Sequence, residues 1–331
     1  MSPHAFRRRV LVGVCTIGGL ALFAYVVERA GVAEIVDGVQ RVGWGLSAIL
    51  ALQGLRFVLR TECWRRCMPP NTHLPFRRAF SAFLAGDAIG SVTPLGLLAS
   101  EPMKVFLTRH HLAPRESVAS LAVENLVYAA SVAAMVAIGL LVVLATVPLS
   151  WTWRLAILSA LAAVAVAVLV ARYLLRRPAN AELVRPRWRE QLSRVRLVVA
   201  GFSTAHARRL WQAFALDTLF HAIAVLEVFL TLRWLMGDQS PTLAQAVVFE
   251  ALNRAVTVAF KFVPFRVGVD EALTGAAAPM LAVNPAAAVA LAVVRKVRNL
   301  FWSLVGLLII AAHPAEPSTG IRTGTTTVRP L

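Results

Sequence analysis

The chain has 331 residues, of which 58% are hydrophobic and only 15% charged, and its mean hydropathy is +0.68. Such values lie well away from those of soluble domains and leave no stretch for a separate soluble catalytic domain. The net charge of +17 is concentrated in short connections beside apolar runs, so it reads as membrane orientation and contact with anionic headgroups rather than as nucleic-acid binding.

About 20 apolar residues in a helix cross a hydrocarbon core of roughly 30 Å. Windows of that kind lie near 10–28, 43–61, 118–145, 151–172, 213–236 and 286–312. The first follows Arg7, Arg8 and Arg9 and reads as a retained signal anchor, because it is long and has no small-x-small cleavage site. Residues 31–41 carry Val32, Ile35, Val36 and Val39 at helical spacing and are expected to lie along the outer surface. Trp44, Trp64, Trp151, Trp153 and Trp211 fall near span ends, as in an interfacial belt. Segments 76–107 and 243–283 are apolar but interrupted.

Basic residues gather at Arg7–Arg9, at Arg60, Arg65, Arg66, Arg77 and Arg78, and at Lys104, Arg109 and Arg115. The richest stretch is 172–209, with ten arginines against Glu182 and Glu190. Connections 146–150 and 237–242 contain no Lys or Arg and are expected outside. With both termini cytoplasmic, the alternation closes if 76–107 enters and leaves on the inner side and 243–283 on the outer side. Each is then a re-entrant hairpin, and the two halves are inverted. A reporter inserted in 237–242 is expected to score as external; a cytoplasmic signal would reverse this topology. The predicted fold class is therefore all-α: a polytopic membrane bundle with two inverted repeats, each holding a Pro/Gly-broken hairpin. One transmembrane domain spans 1–312, with repeat one at about 43–145, a basic cytoplasmic loop at about 173–210 and repeat two at about 213–312. The Thr-, Gly- and Pro-rich tail 313–331 is expected to be disordered.

The two interruptions match. The first reads Thr93-Pro94-Leu95-Gly96 with Glu101 seven residues after the proline; the second reads Val263-Pro264-Phe265-Arg266-Val267-Gly268 with Glu271 seven after its own. Charged clusters follow at Glu124-Asn125 and at Arg295-Lys296-Val297-Arg298-Asn299. Broken helices within a membrane persist only where protein or a wet cavity satisfies the freed backbone groups. A corresponding pair of breaks points to a binding site at a repeat interface.

The stretch from Phe76-Arg77-Arg78-Ala79 through Gly86-Asp87, Thr93-Pro94-Leu95-Gly96 and Glu101-Pro102-Met103-Lys104 resembles the first half of the flippase-like membrane domain of the lysylphosphatidylglycerol synthase (multiple peptide resistance factor) family. Val263-Pro264 through Gly268-Val269-Asp270-Glu271, then Ala292-Val293-Val294-Arg295, is similar to its second half. The resemblance covers about 10–312. It implies a multispanning inner-membrane protein that moves or handles an amphipathic lipid, as do relatives near hopanoid or glycolipid pathways. The first break departs from the family's Pro-x-Gly-Gly pattern, reading Pro94-Leu95-Gly96-Leu97-Leu98-Ala99. Beyond about 312 only the short tail follows, so lysyl transfer by a soluble synthase domain is not implied.

Ionised groups at mid-membrane cost about 2.5–3.5 kcal/mol each on insertion scales and persist by facing a bundle interior or a wet cavity. Candidate headgroup ligands are Arg254, Arg295 and Arg298, with Lys261 beside them, since the arginine fork matches phosphate oxygens. Glu101, Glu124 and Glu271 would orient these arginines or meet a headgroup amine. Pro94 and Pro264 would open backbone N–H groups to the site, and Gly96 and Gly268 would permit close approach or positive φ. The alternative for these charges is salt bridging that only holds the bundle, the preferred reading for Glu250 with Arg254 at i, i+4. Arg56 reads as a structural residue reaching the interface, and Asp217 with His221 as a hydrogen-bonded pair. Cys63 and Cys67 lack a second Cys/His pair, so zinc is not expected. No nucleotide-binding or hydrolase motif occurs, and neither a cofactor nor an enzymatic role is expected. Three functions stay open: a flippase-like transporter of a phosphate-bearing lipid, an intramembrane enzyme using Glu101 or Glu271 as base, and a scaffold for a lipid-modifying partner enzyme docking on 172–209.

Overall fold

The computed structural model describes residue 33 and residues 40–312 apart from 71, 94–95, 177–205, 238–239, 261–263 and 267. The expected span 10–28, nearly all of 31–41, most of the basic loop, the tail 313–331, Pro94 and Lys261 lie outside the described residues. Among the described residues there is no strand. The principal helices are α1 (Gly45–Arg66), α2 (Phe76–Val92), α3 (Gly96–Thr108), α4 (Pro114–Thr146), α5 (Trp151–Arg176), α6 (Ala207–Leu235), α7 (Leu243–Ala259), α8 (Val269–Ala277) and α9 (Pro285–Ala312).

Local chemistry sets many of these boundaries. Pro114 opens α4, where its missing N–H costs nothing. The Thr242 hydroxyl accepts from the Gln245 N–H, and the Gln245 side chain answers at the Thr242 N–H, so α7 starts on a reciprocal cap. Before Pro94 an α conformation is sterically disfavoured. Thr93 is accordingly extended, at φ −96° and ψ 141°, and α2 stops.

α4, α5 and α6 are long and apolar enough to cross a membrane by length and composition. In the most apolar window of α5 only 6% of residues are buried within the protein, at a mean hydropathy of 2.3. Such a helix has no place in water, and lipid must cover it. α1 and α9 are also long, but they carry Arg56, Arg60, Arg295, Lys296 and Arg298 inside their apolar sequence. The protein is thus an all-helical membrane bundle. Segment 76–107 resolves into α2 and α3, and segment 243–283 into α7, a one-turn helix at Pro264–Arg266, α8 and a second one-turn helix at Pro279–Leu281.

Two apolar clusters flank a polar middle. One joins Met135, Val228, Leu232, Phe249 and Leu291 from α4, α6, α7 and α9. The other joins Phe57, Trp64, Phe83, Leu84 and Leu121 from α1, α2 and α4, with Trp302 of α9 against it. α1 packs most extensively on α6, while α2 folds back on α3 and also lies along α9. Where α2 and α3 cross, a Cβ on Gly96 would stand 2.1 Å from the Gly90 carbonyl oxygen, so only glycine admits that approach.

Two expectations are corrected here. Trp64 is not an interfacial residue: it is fully buried, and its indole N–H donates to the Ser120 hydroxyl at 3.0 Å. Trp44, Trp151, Trp153 and Trp211 are exposed, as expected of interfacial rings. Arg60 and Lys104, read as loop charges, are buried within the bundle. Both lie inside helices rather than in connections, and carboxylates within the bundle pair with them.

Candidate functional site

A cavity of about 280 Å³ lies between the clusters, and both broken segments reach it. Gly90, Ser91, Gly96, Ser100 and Glu101 line it from α2 and α3, and Asn253, Arg254, Thr257, Phe265 and Arg266 from the second break. α1 contributes Gln53, Arg56 and Arg60, α4 Asn125 and Tyr128, α6 Phe220, and α9 Arg298, Asn299 and Trp302.

The walls are strongly cationic. Among the described residues Arg56, Arg60, Lys104, Arg254, Arg266 and Arg298 line the space, against Asp87 and Glu101 as the acids. Most of the balancing carboxylates stand behind the cations. Glu227 of α6 takes Arg56 of α1 at 3.1 Å on one oxygen and Arg298 of α9 on the other. Arg60 bridges Glu124 at 2.5 Å and Asp217 at 3.2 Å. Glu250 holds Arg254 at 2.5 Å, with Arg295 at 3.5 Å and the Asn253 amide donating at 3.1 Å. Lys104 pairs with Glu101 at 2.9 Å and Arg266 with Asp270 at 3.0 Å. Lys296 pairs with Glu271.

With Asp87 included, these amount to eight basic and eight acidic groups, so the cluster as a whole is neutral when all are ionised. Neutrality makes insertion tolerable. Its layered arrangement nevertheless leaves a positive potential in the cavity, since low-dielectric walls screen it little.

Aromatic rings fix the guanidinium planes. The Arg60 guanidinium lies 3.8 Å from the Tyr128 ring centroid, and that of Arg56 lies 4.3 Å from Phe220. Arg254 donates to the Tyr128 hydroxyl at 3.2 Å. Lys104 lies over Phe83 at 4.4 Å. Each cation is therefore held on one side by a ring or carboxylate and presents another toward the space.

Of the site residues expected from sequence, Gly96, Glu101, Arg254 and Arg298 line this cavity. Glu124 and Arg295 stand behind it, on Arg60 and Glu250. Gly268 and Glu271 do not line it; the Gly268 N–H, at φ 82°, donates to the Glu271 carboxylate at 2.9 Å and caps α8. Pro264 begins the turn that carries Phe265 and Arg266 into the wall. Glu250 and Arg254 pair as their spacing suggested.

Arg56 is corrected from an interfacial residue to a buried one. Asp217 and His221 do not pair: Asp217 takes Arg60, and His221 Nε2 meets the Ser131 hydroxyl at 3.2 Å. Sequence reasoning passed over Glu227 and Tyr128 and took Arg60 and Lys104 for loop residues. Arg56 and Arg60 share one face of α1, which was a usable signal. Among the described residues no three His, Cys, Asp or Glu side chains come together as metal ligands.

Comparison with known proteins adds the lineage. The family model described as lysylphosphatidylglycerol synthase TM region matches residues 10–306. No curated protein and no solved structure matches the chain. The match spans nearly the whole bundle and both broken segments, so the chain belongs to the family of lysylphosphatidylglycerol synthase transmembrane regions, helical membrane proteins with a role connected to membrane lipids.

Proposed function

We propose that this protein is a flippase-like lipid transporter that carries a phosphate-bearing headgroup through the central cavity while the acyl chains stay in the bilayer. The observation that carries the reading is the cation-lined cavity at the meeting of two broken helical segments. A phosphate leaving water needs charged donors already in place, and arginine forks supply them in matching geometry. The backing carboxylates keep those forks aimed when no lipid is bound.

An arrangement of two inverted repeats would serve the same function. In that arrangement α2 and α3 would enter from and return to the side of the basic connections, and α7 and α8 would do so on the opposite side. Both hairpins are re-entrant in this scheme, and rocking of one half against the other would expose the cavity alternately. The charge bias favours an inner-membrane protein with cytoplasmic termini. The basic stretch 172–209 would hold anionic headgroups of the inner leaflet.

Transport is preferred to catalysis because most of the carboxylates are already committed to a basic partner. Proteoliposomes with a fluorescent short-chain phosphatidylglycerol test it. Wild-type protein is expected to expose the inner-leaflet probe to an external quencher. Arg254→Gln, one guanidinium short, should slow this by about tenfold or more, in line with about 1.5–3 kcal/mol for a hydrogen bond to a charged group. Wild-type vesicles no faster than empty ones, with and without ion gradients, would reject transport.

A further inference from the structure

A second basic pocket of about 220 Å³ lies away from the cavity, where the end of α1, the 67–75 connection and the start of α6 meet. Arg65, Arg66, Arg209 and His73 line it, and Glu62 is the one acid in its wall among the described residues. The arginines are fixed by the protein. Arg65 Nε donates to the Leu74 carbonyl at 3.3 Å, and Arg66 Nη1 donates to the Gln212 side chain at 2.7 Å. Arg209 Nη1 reaches from α6 to the Met68 carbonyl at 3.0 Å. Glu62 is shared between Arg65 at 2.6 Å and Arg66 at 2.9 Å.

Two consequences follow. Among the described residues one carboxylate faces three guanidinium groups, a net positive charge. Each guanidinium has five N–H donors; Arg65 and Arg66 each spend two of their three nitrogens on described groups and Arg209 one, leaving donors for an oxyanion. None of this serves the central cavity, whose lining shares no residue with the pocket. Arg65 and Arg66 close the last turn of α1, and the charge bias of the neighbouring connections would set this end of the helix at headgroup depth on the basic side. Basic pockets between helix ends on that side suit phosphate headgroups. The volume is below the roughly 300–1,000 Å³ of drug-sized sites and fits a phosphate group with a few adjoining atoms.

We infer that this pocket is a phosphate-binding site separate from the central cavity, taking the phosphate of an anionic lipid headgroup or of a free phosphate compound. Native mass spectrometry of the full chain with added phosphatidylglycerol, together with calorimetric titration of inorganic phosphate, tests it. Arg66→Gln/Arg209→Gln is expected to lose one of the phosphatidylglycerol adducts carried by wild type, a drop of about tenfold or more in that adduct. Arg254→Gln should leave this adduct in place whether or not the cavity holds lipid. If the double variant keeps every lipid adduct but loses phosphate titration, the ligand is a free phosphate compound. Equal behaviour of wild type and double variant in both arms overturns the site, as does loss of this adduct through Arg254→Gln. Should the double variant fail to give monodisperse protein, Arg209→Gln alone decides: it leaves the Glu62 pairs intact, and unchanged lipid and phosphate binding refutes the proposal.

Discussion

Glu227→Gln is expected to lower the stability of the bundle by about 3–5 kcal/mol, the cost of leaving buried charges without a partner. This carboxylate is 2% exposed and is the shared counter-ion of Arg56 on α1 and Arg298 on α9. The amide keeps one acceptor oxygen but no charge, so two guanidinium groups are left facing each other across an apolar interior with Gln53, Asn299 and that single oxygen as neutral acceptors among the described residues. Thermal unfolding in detergent, followed by size-exclusion chromatography of the soluble fraction, reads the effect as a lower midpoint. The partial remedy is specific. Removing Arg298 as well, in Glu227→Gln/Arg298→Met, should recover part of the loss, because one buried charge disappears with its partner. A midpoint unchanged by Glu227→Gln would mean that water, rather than Glu227, satisfies these arginines.

Gly96→Val is expected to disrupt the first hairpin and abolish lipid transport. A Cβ at this position would lie 2.1 Å from a backbone oxygen of Gly90, and backbone cannot swing aside as a flexible side chain does. Overpacking of this kind costs about 1–3 kcal/mol where the structure can relax, and occasionally more. The same crossing forms part of the cavity wall, since Gly90 and Gly96 both line it. Parting the two helices therefore also shifts Glu101 and its partner Lys104. Leu98→Ala is the control, being two residues away on the same helix and 72% exposed. It should leave both melting and transport near wild type. Normal transport by Gly96→Val would show that the α2–α3 crossing opens without loss of function.

The two predictions rest on different physics. Glu227 concerns uncompensated charge in a medium of low polarity, where the energy follows the missing partner. Gly96 concerns hard-core contact between two backbones, where it follows distance. A variant at either position that retains its fold but loses transport would place that element in the moving part of the protein.

Composition and pattern were enough to reveal a helical membrane protein. Apolar runs longer than a bilayer is thick can only be spanning helices or deeply buried ones, and the Arg/Lys bias of the connections favours the first. Run length placed α4, α5 and α9 close to their observed ends, whereas α6 begins at Ala207, ahead of the expected 213, because its first turns are polar. The two helix breaks were equally legible, because each pairs a proline with a glycine a few residues later inside an otherwise apolar run. So was the ion pair of Glu250 with Arg254, whose spacing of four puts both on one face.

Pairing between distant helices was not legible. Arg56 and Arg60 lie one turn apart on α1, whereas their partners Glu227 and Asp217 lie ten residues apart on α6, about 15 Å along its axis. The long arginine side chains splay to meet both, and no local spacing encodes that. Nor does sequence indicate which member of each pair faces the cavity. The positive lining arises because helix rotation directs the arginines inward and most of the carboxylates behind them. That rotation is set by packing of apolar faces far along the chain, such as Phe57 against Trp302. Membrane character was thus settled by the residues themselves, since solvent preference accumulates residue by residue. The polarity of the cavity was decided by tertiary structure, since the direction of a charge depends on every helix packed around it.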